Sequence, residues 1–348
     1  MENQKHNYDI FNLNYAAAIE VDPAVLAADE GEYDPSEYAT STETMPESIH
    51  EYLYENGRRY HTYFGVDKNC MPTDEMEQDR LDMHHEILLH LLDGRLHLAP
   101  IEEPHRILDI GTGTGIWAID MADQYSTAEV IGTDLSPIQP AWTPPNCRFE
   151  IDDAEKEWTF KDNTFDFIHG RNLTQSINDW PTLMSQFYRC TKPGGWAEIA
   201  EIEGSVWSDD NTMGPAFKYW TELLNKALVI KGYQHVSRES LAKRLEDAGF
   251  VDVKVYAFKQ PYGPWAKNKK EKRLGGEMLL IAGPSLESYG LALFTRVLGI
   301  DAEEATRLCR ETWKEIINKK HHVYNNFYVA YGRKPEDSEV ERTADAYL

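Results

Sequence analysis

A short apolar run, Arg106-Ile107-Leu108-Asp109-Ile110, passes without a spacer into Gly111-Thr112-Gly113-Thr114-Gly115 and then into Ile116-Trp117-Ala118-Ile119-Asp120-Met121-Ala122. Five residues bounded by turn formers predict a buried strand, and the apolar spacing after the glycines predicts a helix. A second strand, Glu129–Asp134, follows and ends in an acid. A strand, helix and strand in this order pack together as a right-handed crossover in a parallel sheet. That sheet needs helices on both faces, so one motif of about thirty residues constrains the whole architecture.

The rest of the chain is consistent with that unit. Strand candidates continue at Cys147–Ile151, Phe165–His169, Gly195–Ile202, Val251–Phe258 and Phe327–Gly332, with helical patterns between most of them. The expected fold is α/β: a Rossmann-like, doubly wound, mostly parallel seven-stranded sheet. Residues 1–45 mix acids, Ser, Thr, Pro and Ala without periodicity and are expected to form a flexible acidic segment. Residues 46–99 are expected to be helical, with helices near Ser48–Tyr63 and Asp74–Leu92 preceding the core. The core spans 100–335 and carries a helical cap at about 205–247 and 262–322, the second part inserted between the last two strands. A connection that long carries its own structure. Residues 336–348 are expected to be a flexible tail.

Glycines after a first strand let a ligand approach the backbone, and the following helix offers free N–H groups. Asp134 lies roughly twenty residues beyond the turn, where an acid can accept from ribose hydroxyls. This pattern implies a nucleoside-containing cofactor. A dinucleotide fingerprint needs Gly or Ala where Ile116 stands. Asp109, just before the glycines, would repel a pyrophosphate but suits an ammonium group. Both features favour S-adenosylmethionine over NAD and disfavour an NAD-binding oxidoreductase. After the third strand, Asp152-Asp153-Ala154 can meet an adenine edge. Lys192-Pro193-Gly194-Gly195 predicts a structural turn. His169, at the end of a central strand, is the candidate general base, since active groups in open sheets gather beyond strand C-termini. Asp179-Trp180 and Glu201 are weaker candidates.

Composition narrows the partners. The net charge of −24 over 348 residues disfavours non-specific adhesion to nucleic acid or an anionic membrane. The basic cluster Lys267–Arg273 is expected to be a solvated face of the cap. The four cysteines form no CxxC pair, and His84-His85 with His90 does not make HExxH, so no disulfide framework and no metal is expected. The polar, acidic start lacks a secretory pattern, and runs such as Ile87–Leu92 are too short to span a bilayer. A cytoplasmic location is expected, with the nucleus as the other possibility. The 9 Trp and 19 Tyr could line an enclosed apolar pocket for a small molecule.

Leu108–Gly115 resembles motif I of the class I methyltransferases, and Gly132-Thr133-Asp134-Leu135-Ser136 resembles their second-strand acidic motif. The fuller likeness is to the fungal LaeA-like methyltransferases of secondary metabolism. It rests on Glu55-Asn56-Gly57-Arg58-Arg59-Tyr60-His61, Glu77-Gln78-Asp79-Arg80-Leu81-Asp82, Phe167–Leu173, Pro261–Lys267 and Tyr331-Gly332-Arg333-Lys334-Pro335, and spans roughly residues 46–335. The resemblance implies that Gly111, Thr112, Gly113 and Gly115 line the cofactor beside Asp109, and that Asp134 binds ribose with Leu135 against adenine. It implies Asp152, Asp153 and Ala154 at the adenine edge, and His169, Gly170 and Arg171 at the methionine end. Tyr60 and His61 are expected to help cover the cofactor. The implied activity is methyl transfer to N or O of a small specialised metabolite. The competing implication is a regulatory role through protein partners.

Overall fold

The computed structural model describes residues 47–336 and 338–339; the expectations for residues 1–45 and for the tail beyond 339 lie outside the described residues. A 3-10 turn over Glu47–His50 leads into a hairpin, β1 (Tyr52–Glu55) and β2 (Arg58–His61), paired antiparallel. This corrects the expected helix at Ser48–Tyr63. Asn56 and Gly57 link the strands with φ of 52° and 73°. Positive φ at both central positions is the geometry that Asn-Gly favours in a two-residue hairpin turn. Local turn chemistry therefore overrode an apparent helical spacing.

Helix α1 (Glu75–Leu91) follows, as expected. Asp74 caps it by accepting from the Glu77 N–H at 3.0 Å. Its buried face carries Glu77, Arg80, His84, His85 and Leu88, which is unusually polar. Much of that polarity is spent on a buried ion network. Arg58 grips Asp74 with two hydrogen bonds of 2.8 and 3.0 Å, and Arg80 grips Glu77 at 2.9 and 2.6 Å. Ser288, from the distant cap, donates to Glu77. Buried charges are tolerable only when paired in this way.

The sheet then forms as expected from β3 (Arg106–Ile110), β4 (Glu129–Asp134), β5 (Cys147–Ile151), β6 (Phe165–Arg171), β7 (Thr191–Ile202), β8 (Val251–Tyr262) and β9 (Val323–Arg333). Its order is β5-β4-β3-β6-β7-β9-β8. The five strands from β5 to β7 are parallel, while β9 runs antiparallel between β7 and β8. The turn at Lys192–Gly195 lies inside β7, where Gly194 has φ +77° and the register with β6 shifts. Helices α2 (Ile116–Gln124), α3 (Trp180–Cys190) and α5 (Arg238–Ala248) flank the sheet.

The remaining helices form the cap: α4 (Pro215–Ile230), α6 (Lys269–Ala292), which continues as a π-helical turn over Leu293–Val297, and α7 (Ala302–Ile316). They share one apolar cluster that includes Phe217, Trp220, Leu286, Phe294 and Cys309, and Tyr60 of the hairpin belongs to it. The segment Lys269–Val297 is long and apolar enough to cross a membrane, unlike the short runs noted in the sequence. More than half of it is buried inside the protein, as befits a core helix. The basic residues at its start are exposed, with Lys270 paired to Asp93 and Arg273 to Glu277.

Candidate active site

Strand order reverses between β3 and β6, the point where open α/β sheets bind ligands. A cavity of about 160 Å³ lies there, beyond the strand C-termini. Its floor is the turn from Gly111 to Gly115, in which the three glycines have φ of +65°, +60° and +82°. A side chain at each would meet a different neighbour. At Gly111 it would strike Leu173 Cδ2 at 2.4 Å, and at Gly115 the Phe149 ring at 2.3 Å. At Gly113 it would find only Leu81 Cδ1, at 3.6 Å, and otherwise open space. Gly113 is thus the glycine kept for a close approach, whereas Gly115 is a packing glycine that does not line the cavity.

Asp134 stands at the end of β4, half-buried in the cavity wall. Its Oδ2 accepts from the Gly113 N–H at 2.8 Å and its Oδ1 from the Ser136 N–H at 2.9 Å. Burial pushes its pKa up to about 6; the two N–H groups oppose the rise and Asp109 adds to it. A carboxylate has about four lone-pair sites, so acceptor capacity remains beside these bonds. Leu135 lines the same wall.

Asp109 and His169 are cross-strand neighbours on β3 and β6, which is why they meet. His169 Nδ1 lies 2.7 Å from Asp109 Oδ1, and Thr112 Oγ1 donates to Asp109 Oδ2 at 2.6 Å. The imidazole stacks on Trp117, with centroids 3.8 Å apart and planes 9° from parallel. Burial lowers its pKa, against the pull of Asp109. His169 is therefore an oriented ring that braces Asp109. It lines this cavity but not the larger one next to it.

The third acidic pair divides its work. Asp153 pairs with Lys68 Nζ at 2.9 Å and accepts from the Glu155 N–H at 3.0 Å. The Asp152 carboxylate, whose pKa burial raises, accepts only from the Asp153 N–H among the described residues. Both line the cavity with Ala154. Arg171 lines it too, and its one side-chain hydrogen bond among the described residues goes from Nη2 to His85 Nδ1 at 3.2 Å. His85 is held in turn by Asp120 at 2.8 Å. Gly170 does not line the cavity; a side chain there would strike Leu173 at 2.7 Å. Tyr60 and His61 do not line it either. Tyr60 is buried beneath the cap with Arg296 stacked 4.5 Å above its ring, and His61 Nε2 bonds the Ile49 carbonyl at 2.6 Å.

A second cavity, of about 220 Å³, lies between the sheet edge and the cap. Its walls are mainly apolar, among them Phe217, Trp220, Leu224, Ile281 and Leu286. The two cavities share Arg80, His84, Asn172, Gln175 and Tyr289. Sequence reasoning missed all five as site residues. Asn172 carries a legible signal, φ of +56° just past a central strand, but only once the backbone is known. Glu201 lines the larger cavity, where it also accepts from the Leu173 and Thr174 N–H groups. Asp179 caps α3 and Trp180 is core, so both are structural.

A family model described as a methyltransferase domain matches residues 81–255. The chain is 38% identical over 301 residues to methyltransferase pytC of Aspergillus terreus, covering 85% of this chain and 92% of that protein. It is 38% identical to secondary metabolism regulator LAE1 of Cochliobolus heterostrophus, over 81% of this chain and 94% of that one. With secondary metabolism regulator laeA of Aspergillus fumigatus the identity is 35% over 341 residues, 96% of this chain and 90% of that one. Among solved structures, Haemonchus contortus phosphoethanolamine N-methyltransferase 2 with S-adenosyl-L-methionine overlaps 78% of this chain and 55% of its own, at TM-score 0.43 and 22% identity. That likeness is too distant to bear on function. A glycine-floored cavity at the sheet's switch point, acids at the ends of β3, β4 and β5, and relatives of this identity over nearly their whole length place the chain in the fungal LaeA-like family of class I S-adenosylmethionine-dependent methyltransferases.

Proposed function

We propose that this protein methylates a small, largely apolar specialised metabolite that enters the chamber under the cap. The observation that carries the reading is the meeting of two cavities across a few shared side chains, one floored by the glycine turn and the other walled by apolar residues. Methyl transfer needs the two reactants held in line and away from bulk water, and two adjoining cavities can supply that.

The residues of the smaller cavity fit the cofactor on three observations. Gly113 leaves room where any side chain would intrude. Asp134 has free acceptor sites for a ribose diol. Arg171 is a cation whose remaining donors have no partner among the described residues, which suits the cofactor's carboxylate. In this reading Leu135 packs on the adenine, Asp152 and Ala154 meet its edge, and Asp109, braced by His169, faces the ammonium. The cofactor supplies an activated methyl on sulfur; the protein binds, orients and excludes water.

The larger chamber's unpaired polar atoms, Asn325 Oδ1 and Tyr233 Oη among them, suit a ligand with a few hydroxyl or carbonyl groups on an apolar frame. Cytoplasmic work on such a molecule belongs to the same proposal, and fractionation of cells carrying the tagged protein checks it. The test of activity is purified protein with labelled methyl donor and extracts of the producing fungus, read by mass. Calorimetry supports it: tight NADH binding with no binding of S-adenosylhomocysteine sinks the reading. A regulatory role through protein partners is favoured by the names of several relatives, which are called secondary metabolism regulators. It gains if variants without methyl transfer keep the protein's effect in cells.

A further inference from the structure

His84 was set aside in the sequence because its spacing to His85 and His90 makes no metal motif. The fold gives it a different setting. It lies on α1, one turn beyond Arg80, and its ring stands where the two cavities meet; of the histidines that line either cavity, it alone lines both. The side chain is 3% exposed, and its Nε2 has no hydrogen-bond partner. A buried polar atom without a partner is costly, and at a site it calls for a ligand. Asn172 Oδ1 and Gln175 Oε1, which share the junction, are unpartnered in the same way. Three unpartnered atoms, one imidazole nitrogen and two amide oxygens that accept hydrogen bonds, thus belong to residues lining both cavities.

We propose that His84 Nε2 is the catalytic base that takes the proton from a hydroxyl of the methyl acceptor. This deepens the proposed function and rests on it. An aromatic amine needs no such base to attack, because its lone pair is free at neutral pH; a phenol or enol becomes a good nucleophile only as it loses its proton. The inference therefore assigns the chamber to an oxygen acceptor, a phenol or enol on an apolar frame.

The step balances. The hydroxyl oxygen's lone pair forms the bond to the methyl carbon as the carbon–sulfur bond breaks, and its electron pair stays on sulfur as a neutral thioether. The hydroxyl proton passes to Nε2. One positive charge is lost at sulfur and one appears on the imidazole, so the net charge of the site is unchanged. The groups facing His84 are Arg80 and His85 on its own helix, Arg171 at the end of β6 and Tyr289 from α6. Burial and the two arginines hold the ring well below its ordinary pKa, so it stays unprotonated and ready. A weak base suffices, because the proton becomes strongly acidic once the oxygen begins to bond carbon. His169 does not compete for this role, since it is tied to Asp109 and absent from the acceptor chamber.

The test compares wild type with His84→Gln and His84→Asn. The probes are S-adenosylhomocysteine for binding, and a panel of mono- to tricyclic phenols with the anilines of the same frames for turnover. We expect transfer to phenols by the wild type, a drop in kcat of roughly 100-fold or more in both variants, and S-adenosylhomocysteine affinity within about threefold of wild type. Nitrogen-15 spectra of the ring, assigned by difference with His84→Gln, should show it neutral at pH 7. Equal phenol turnover in the variants overturns the inference, as does transfer to anilines alone, a ring already charged at pH 7, or no transfer to any panel member by wild type that binds S-adenosylhomocysteine. Failure of the wild type to bind S-adenosylhomocysteine instead overturns the proposed function.

Discussion

Asp134 offers a quantitative handle on the cofactor site, because the structure sets both its charge and its free valences. Each of its oxygens already accepts one backbone N–H, which leaves room for two hydroxyl donors. Hydroxyls donate well to a carboxylate and poorly to a carboxylic acid, so the ionised form should bind. With a pKa of about 6, the free protein holds the carboxylate about 97% ionised at pH 7.5 and about 9% ionised at pH 5. The sign follows: affinity is full above pH 6 and is lost as pH falls through 6. If only the carboxylate binds, the loss from pH 7.5 to 5 is about tenfold, or ~1.4 kcal/mol. Removing the acceptor in Asp134→Ala costs about 1–3 kcal/mol at pH 7.5, from the loss of charge-assisted hydrogen bonds. The same variant should flatten the pH dependence. Calorimetric titration with S-adenosylhomocysteine at half-unit pH steps measures all three quantities. Affinity that is constant between pH 5 and 7.5, or that improves on acidification, refutes the reasoning, as does a variant that binds like wild type.

Three further outcomes are expected. Arg171→Met and His85→Phe should each weaken S-adenosylhomocysteine roughly 10- to 100-fold, yet leave 5′-methylthioadenosine, which lacks the carboxylate, almost unaffected. An equal loss for both ligands would mean that these residues only support the fold. Gly113→Ala should fold with a strain of about 1–2 kcal/mol from its positive φ but lose the cofactor, whereas Gly115→Ala should be the less stable of the two because of the Phe149 ring; thermal melts with and without ligand separate them. Glu198 is buried on β7, accepts the Leu98 and Ala99 N–H groups with one oxygen, and has its pKa pushed up to about 7 by burial. Between the ordinary carboxylate range and pH 7 the unfolded chain has lost the proton and the folded one keeps it, so stability falls as pH rises through that window. Glu198→Gln keeps the accepting oxygen and removes the charge, and should stabilise the protein by about 1–3 kcal/mol at pH 8 with no gain at pH 4; denaturant melts at the two pH values measure it.

The strand–turn–helix–strand unit is legible in the sequence because its causes are local. Five apolar residues, three glycines and an acid at a fixed spacing specify the turn, and the turn specifies where Asp134 meets Gly113. The larger sheet follows from the same alternation, and the long insertion between β8 and β9 is visible as a helical stretch. Even the hairpin had a local signature in Asn56-Gly57, misread because the flanking residues also fit a helical spacing. Tyr60 and His61 were then misplaced with it.

Pairings across long separations were not legible. Ser288 reaches Glu77 across 211 residues, and that contact ties the cap to α1. No periodicity encodes it, since buried polar residues on α1 look like any others until their partners arrive. The choice between histidines turned on the same point. Sequence placed His169 at a strand end, where catalytic groups gather, and left His84 as an ordinary helical histidine. Folding gave His169 a carboxylate and a stacked indole and left His84 Nε2 without a partner between two cavities. The sequence by itself determined the nucleotide-type fold and the acids around the cofactor, because those depend on residues close in the chain. Only the tertiary structure decided that a second cavity lies under the cap and which side chains stand where it meets the first, because burial and hydrogen-bond supply are properties of the packed whole.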